Sequence, residues 1–347
     1  MMRSPLASRV VLLTVLVAAA VSAVAARQEP APPGDERARF AAFLQEMKAE
    51  AITRGIAEAV AARALDGLQP LAVVVDRDRG QAEQVLSIDT YVRRRLTPAT
   101  IRRAQRMFGQ HQALLEKVGK AYGVQPRYLV AVWGLESNFG AFTGVRPTVQ
   151  ALATLAFDGR RGELFRNELF DALRIVERGH ADLDRMKGSW AGAMGQPQFM
   201  PSSYLKYAED FDGDGTRDIW SSSADVFASI ANYLRAYGWD AEATWGRQVR
   251  VPGPVADLAA RAGSRGEGCR AERALSRRRF LSEWQSMGVR AASGADLPTT
   301  ERLASLLDAG DRQFLVYANY EAILGYNCAN AYALSVAMLG DRIVAQP

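Results

Sequence analysis

Histidine and cysteine are nearly absent, with two of each in 347 residues: His111, His180, Cys269 and Cys328. This disfavours a His/Cys zinc site and excludes an iron–sulfur cluster held by four cysteines of this chain. Excess charge of one sign is also scarce. Lys+Arg 43 nearly balances Asp+Glu 38, for a net charge of +5 and a pI near 9.3. That surplus is too weak to argue for nucleic acid, and no RNA or DNA motif is visible, although an anionic polymer is compatible with it. Beyond the first 26 residues no run is long and apolar enough to span a bilayer. There are no internal repeats. What is present is ordinary globular composition, 48% hydrophobic and 23% charged, which rules out a disordered or fibrous chain. The length suggests about two domains, or one elaborate one, with room for a sizeable core.

Residues 1–26 read as an export signal. Arg3 and Arg9 make a positive start, and Val10 to Ala20 is apolar apart from Thr14. Ala23-Val24-Ala25, or Val24-Ala25-Ala26 one step later, offers small residues for cleavage near Ala25 or Ala26. An uncleaved anchor is the alternative. No cysteine lies near the cleavage site, so a lipoprotein anchor is not supported, and a periplasmic address is expected. Such a compartment is oxidising. Cys269 and Cys328 could then pair, and a loop of 59 residues would make that bond worth a few kcal/mol; the sequence leaves free thiols equally open.

Residues 27–35 form a Pro-rich leader. Helical patterning begins near Glu36, with Phe40, Phe43, Leu44 and Met47 at helical spacing, and continues around Ile56–Leu65. LAVVVDRDR at 71–79 reads as a short apolar run followed by a charged turn. Ser87 to Lys120 returns to helix, with Pro98 opening a helix after Thr97. From about 246 the character changes. GRQVRVPGPV resembles a strand ending in a Pro-Gly turn, DRQFLVYANYEAIL contains a further strand, and Asn330 to Val344 reads as a helix. The fold class expected is mainly α (α+β).

The segment VQPRYLVAVWGLESNFG carries the first chemical signal. Pro126 suits a first helical turn, and Leu129, Val130, Val132, Trp133 and Leu135 make the helix apolar nearly all round, hence buried. Glu136 sits at its end, before Gly140. A carboxylate there loses hydration, its pKa rises, and a raised carboxyl pKa suits a general acid near neutral pH. A glutamate paired with arginine to hold two helices together is the alternative. Downstream, KGSWAGAMGQPQFMPSSY places Ser189, Gln196 and Gln198 among Trp190, Met194, Phe199 and Met200, with glycines that let backbone approach a ligand. Neutral polar groups beside aromatic faces suit a sugar polymer; a tight helix crossing would also use small residues.

Taken in order, ESNFG (136–140), GSWAGAMGQPQFMPSSY (188–204), DFDGDG (210–215), ANYLRAYGW (231–239) and LGYNCANAYAL (324–334) resemble the membrane-bound lytic murein transglycosylase B family over roughly residues 36–343. The resemblance implies a lysozyme-like core over 121–245. A leader and helical domain (27–120), a small β-containing domain (246–325) and a C-terminal helix (326–347) would flank it and complete the cleft. It implies cleavage of the β-1,4 bond between N-acetylmuramic acid and N-acetylglucosamine in peptidoglycan, leaving 1,6-anhydro-muramoyl ends. Glu136 corresponds to the sole catalytic acid/base. Tyr91, Arg160, Arg161, Ser189, Gln198, Tyr233, Tyr326, Asn327 and Tyr332 fall where the family lines its glycan and peptide subsites. The two arginines also fit a solvated face, and Tyr326 and Tyr332 also fit a core. Cys328 stands where many relatives have histidine, so a structural role is expected for it. Catalysis would need no cofactor, and a monomer acting on glycan strands is expected. A hydrolase leaving a reducing sugar, a non-catalytic glycan-binding protein and a calcium sensor are the competing classes.

DFDGDGTRDIWS also places Asp210, Asp212, Asp214, Thr216 and Asp218 at positions 1, 3, 5, 7 and 9 of an EF-hand-like loop, with Gly215 at position 6. Position 12 is Ser221 instead of glutamate; the resemblance offers Asp225 as the replacement. A structural calcium, or sodium in its absence, would neutralise these carboxylates, weakly because the set is incomplete. A plain Asx-rich turn is the alternative.

Overall fold

The computed structural model describes residues 33–80 and 86–344; the export signal and its cleavage site lie outside them. The chain is mainly helical. The first helix, Pro33–Thr53, buries Phe40, Leu44, Met47 and Ala51 along one face. Glu58–Leu65 and Ala72–Gly80 follow. The run LAVVVDRDR therefore folds as helix, not as an apolar run and a turn. Val74 and Asp78, one turn apart, both point inward, and Asp78 can be buried because two arginines meet it there. The next stretch divides into Ile88–Arg95, Pro98–Gln110 and Gln112–Tyr122. The first break is chemical: Thr97 accepts the Thr100 N–H and Pro98 opens the following turn.

Two antiparallel pairings matter for the site. A ribbon of Arg146–Pro147 and Lys187–Gly188 leads into the glycine-alanine loop. Further on, a five-stranded antiparallel sheet runs in the order Arg279–Phe280, Leu303–Asp308, Gln313–Val316, Gly246–Arg250, Arg290–Ala291. Gln248 lies opposite Phe314 and Leu306 opposite Leu315.

Three apolar clusters organise the molecule. In the first, Val92, Leu96, Ala104, Leu115 and Val118 pack with Tyr128, Leu129 and Trp133 of helix Pro126–Ser137. Helix Ser223–Ala236 and the last two helices, Ala318–Tyr326 and Asn330–Val344, join them. Residues 88–122 thus belong to the packing of the Glu136 helix, so a boundary at 120/121 does not divide the core. The second cluster unites the N-terminal helices with Thr148–Asp158, Gly162–Glu177 and the loop residues Met194 and Phe199. The third backs the sheet with Leu258, Leu281, Trp284 and Tyr317.

No single helix among the described residues is long and apolar enough to cross a membrane. The last two helices reach that length and character only together; they are bent by 119° and contribute heavily to the first cluster. At their bend sits Cys328, disulfide-bonded to Cys269 with the Cα atoms 6.2 Å apart.

Candidate active site

Glu136 ends a helix that is interior on every side: residues 128–135 are all buried. The chain then reverses through Asn138, Phe139 and Gly140, at φ 51°, 57° and 75°, three successive left-handed residues. Holding Asn and Phe there costs energy, which the surroundings must offset. Ser137 helps by donating to the Trp133 carbonyl (3.1 Å) and accepting the Gly140 N–H (3.0 Å). Gly140 is required on two counts, because a Cβ there would also lie 2.5 Å from Gln196 Oε1.

Gln196 joins the helix to the loop. Its Oε1 accepts from Trp133 Nε1 (2.7 Å) and its Nε2 donates to the Trp220 carbonyl (2.8 Å). The loop holds itself as well. Ser189 N–H donates to the Ala193 carbonyl (2.7 Å), and Ser189 Oγ accepts from Ala193 N–H (3.1 Å) and Ala191 N–H (3.3 Å). Gln198, at φ 53°, donates from Nε2 to the carbonyls of Gly195 (2.8 Å) and Thr143 (3.2 Å). Ser189 and Gln198 thus shape the loop through the groups they engage, while the Ser189 proton and Gln198 Oε1 have no hydrogen-bond partner among the described residues.

Three predicted tyrosines surround Glu136. The Tyr233 hydroxyl donates to the Gly325 carbonyl (2.8 Å) and its ring lies 4.6 Å from that of Tyr326. Tyr326 donates to the Pro197 carbonyl (2.6 Å), which commits its proton. The buried Tyr332 hydroxyl has no well-formed hydrogen bond and faces Glu136. All three phenols are pushed far above their ordinary pKa, by burial first and also by the Glu136 charge. Tyr91 completes the wall behind Tyr332, and Tyr237 stacks flat on Tyr233 with centroids 4.7 Å apart.

Glu136 itself is pushed up from 4.5 to about 7, principally by loss of hydration, against opposing pulls from the Tyr332 hydroxyl and the Arg95 charge. The residue as a whole is only part-buried, and no second carboxylate acts on it. Arg95 donates to the Leu135 carbonyl (2.7 Å) and lies 5.8 Å over the Tyr91 ring. Arg95 and Tyr237 lie beside these groups without standing among the sequence candidates. The i, i+4 spacing of Tyr91 and Arg95 was the available signal for one of them.

Asn327 is exposed at the helix bend beside this group. The side chains of Arg160 and Arg161, expected to line a subsite, are 45% and 40% exposed. Both meet the buried Asp78: Arg160 from Nε (2.5 Å) and from Nη2 to the backbone carbonyl (2.7 Å), Arg161 through its Nη2. These bonds, Arg160 first, hold the Asp78 carboxyl below the usual carboxylate range. The pair clamps helix Ala72–Gly80 to the turn before Gly162–Glu177.

In the acidic loop, Asp210 gathers the N–H groups of Gly213 (2.8 Å), Asp214 (3.1 Å) and Gly215 (2.9 Å). Asp210, Asp212 and Asp214 bring oxygens to within 4.8 Å of one another, all exposed. The neighbouring side chains pair within the loop and with Arg185, whereas the oxygen expected of Thr216 is its backbone carbonyl. Thr216 donates its hydroxyl to Asp214 (2.7 Å). Asp218 pairs with Arg185 (2.8 Å). Buried Asp225 accepts from the N–H groups of Phe211 and Asp218, both at 2.8 Å, clasping the two ends of the loop.

A mainly α chain with a desolvated glutamate walled by tyrosines at the end of an interior helix fits the lysozyme-like class of lytic transglycosylases. The transglycosylase SLT domain matches residues 39–341, and the chain belongs to that family. Over 150 residues it is 39% identical to membrane-bound lytic murein transglycosylase B of Escherichia coli K12, a stretch covering 43% of this chain and 41% of that protein; the match therefore spans less than half of this relative's length. The fold is similar to the crystal structure of SltB3 from Pseudomonas aeruginosa in complex with NAG-anhNAM-pentapeptide. That likeness has a TM-score of 0.80 and 40% identity, and covers 87% of this chain and 78% of the other. It is also similar to E. coli lytic transglycosylase Slt35 in complex with calcium, with a TM-score of 0.71 and 28% identity, covering 88% and 93%.

Proposed function

We propose that the chain cleaves the β-1,4 bond between N-acetylmuramic acid and N-acetylglucosamine in peptidoglycan without consuming water, with Glu136 as both acid and base. The supporting observation is a desolvated carboxyl whose pKa lies near 7, with no second carboxylate acting on it. A glycosidase of the usual kind needs two carboxyl groups. With one, the substrate has to supply the nucleophile. Protonated Glu136 gives its proton to the glycosidic oxygen as the C1–O4 bond breaks. The 2-acetamido carbonyl oxygen closes onto C1, forming an oxazolinium. The Glu136 carboxylate then takes the proton from the C6 hydroxyl, O6 attacks C1, the C1–acetamido bond breaks, and the anhydro ring closes with Glu136 again protonated. The Ser189 hydroxyl is the donor left to orient the acetamido group, since the Tyr326 proton is committed to Pro197; Tyr233, buried and stacked on Tyr237, backs Tyr326, the part-exposed ring nearer the sugars.

Export to the periplasm by residues 1–26 and a structural calcium on Asp210, Asp212 and Asp214 belong to the same reading. Three exposed carboxylate oxygens within 4.8 Å suit a hard cation that would neutralise them. The decisive experiment is digestion of purified peptidoglycan by wild type and Glu136→Gln with mass analysis of muropeptide ends. Anhydro ends from the wild type and none from the variant are expected; reducing ends would assign a hydrolase, and activity retained by the variant would remove Glu136 from its role.

A further inference from the structure

More positive charge than the whole chain's surplus is concentrated beside the site. Between residues 91 and 120 the sequence carries eight lysines and arginines against one acid, Glu116, in a protein of net charge +5. The fold puts part of this charge on one surface. In helix Pro98–Gln110, Ala104 is buried, and Ile101, Met107 and Phe108 pack on the first cluster. Arg102 and Arg106 take the opposite face by helical spacing, and Arg103 lies on the flank between the two faces. Arg94, Arg102 and Arg106 are exposed and have no ion pair or hydrogen bond among the described residues. Such unpaired arginines contribute little to the fold. Their position is informative: Arg103 lies 5.4 Å over the ring of Phe139, in the turn after Glu136, and Arg95 binds the carbonyl of Leu135 just before it. The basic face therefore runs up to the rim of the catalytic helix.

We propose that this face, through Arg94, Arg102 and Arg106, is a docking surface for the carboxylate-bearing stem peptides of the glycan strand, separate from the groups that hold the sugar at Glu136. The inference rests on the function proposed above and names what that site draws in besides the sugars. Guanidinium groups suit carboxylates, and several on one rim raise the local concentration of an anionic ligand. An anionic lipid surface is the rival occupant. It fits poorly, because interfacial binding adds buried apolar area to charge, and none of the exposed large apolar side chains of the described residues lies between 91 and 120. A glycan strand with peptides along its length is the ligand that the site's own position supplies.

The test is pelleting of the full-chain Glu136→Gln protein with insoluble peptidoglycan, with and without the triple change Arg94→Gln, Arg102→Gln, Arg106→Gln. Intact peptidoglycan, the same material stripped of stem peptides by an amidase, and phosphatidylglycerol vesicles serve as probes, each at low salt and at about 0.5 M NaCl, where charges are screened within a few ångströms. The triple change should weaken binding to intact peptidoglycan about tenfold at low salt, leave stripped glycan unaffected, and flatten the salt dependence. Equal binding of both proteins to intact material, equal loss on intact and stripped material, or a loss confined to vesicles would each overturn the proposal. An unchanged melting temperature checks that the variant is folded. Because the readout is binding by an inactive protein, it is independent of whether wild type yields anhydro ends, so failure here and failure of the proposed reaction are separable.

Discussion

Trp133 and Gln196 meet through one hydrogen bond, Nε1 to Oε1 at 2.7 Å, and that bond ties the Glu136 helix to the glycine-alanine loop. The Trp133 indole is buried between Phe139 and Phe227, with ring centroids 5.7 and 5.1 Å away, so its N–H has no route to water. Gln196→Leu removes the acceptor and strands both this donor and the Trp220 carbonyl. Unmet buried groups cost about 1–3 kcal/mol each. The variant should melt several degrees lower, and its turnover of peptidoglycan should fall more than its substrate affinity, because the turn at Asn138–Gly140 that sets Glu136 loses its backing. Calorimetry and steady-state kinetics check both; turnover equal to wild type would show that the bond is structural alone.

Burial of Glu136 sets a pH dependence of definite sign. Its folded pKa, about 7, stands above the ordinary 4.5. The folded protein therefore holds this proton more tightly than the unfolded chain, and the associated stability is present below about pH 4.5 and is lost as pH rises to 7. The separation corresponds to about 3 kcal/mol. Glu136→Gln, neutral throughout, should accordingly melt higher than wild type at pH 8 and at the same temperature as wild type at pH 4. Melting curves at the two pH values test this. Wild-type cleavage, which starts from the protonated acid, should decline above pH 7 with a slope of one proton.

Much of this site can be read from the order of the residues, and what cannot be read has a physical cause. Glu136 follows a run so apolar that the helix has to be interior, and Pro126 and Gly140 mark its ends. Tyr233, Tyr326 and Tyr332 lie in motifs that carry the family resemblance. Arg95, by contrast, sits in Arg93-Arg94-Arg95, a run that looks like a solvated face; only the arrival of the Leu135 carbonyl 40 residues later gives it a partner. Arg160 and Arg161 fit carboxylate recognition by type, and the carboxylate they meet inside the fold is Asp78, 82 and 83 residues earlier. Pairing at that separation is decided by packing, to which local patterning is blind. The helix at 72–80 escapes detection for the same reason, because its buried Asp78 breaks the apolar periodicity until its partners are known.

The Cys269–Cys328 bond closes a loop across 59 residues and anchors the bend between the helices that carry Tyr326 and Tyr332. The chain-entropy model makes a loop of that length worth about 4 kcal/mol. Cys269→Ser should lower the melting temperature by roughly 8–15 °C for a domain of this size. Reductant should produce the same shift in wild type and none in the variant. Because Cys328 adjoins Asn327, activity should fall in both cases below the melting transition; full activity in the reduced protein would uncouple the bond from the tyrosine wall.

Calcium should act on stability and leave the chemistry alone. The Asp210–Asp214 oxygens form one side of an oxygen cage, but Asp218 is engaged by Arg185 and Asp225 by two backbone N–H groups. An incomplete set of this kind points to dissociation constants of about 0.1–1 mM. At 10 mM calcium, binding to the folded state alone would add about 1–3 kcal/mol, or a rise of roughly 2–8 °C in melting temperature. Asp212→Asn with Asp214→Asn should abolish that rise, and should raise stability without calcium by relieving repulsion between neighbouring carboxylates. Cleavage rates at 25 °C, well below melting, should be the same with calcium and with chelator, since the loop carries no group that acts on Glu136. A melting temperature indifferent to calcium would leave the loop as a turn held by its own aspartates.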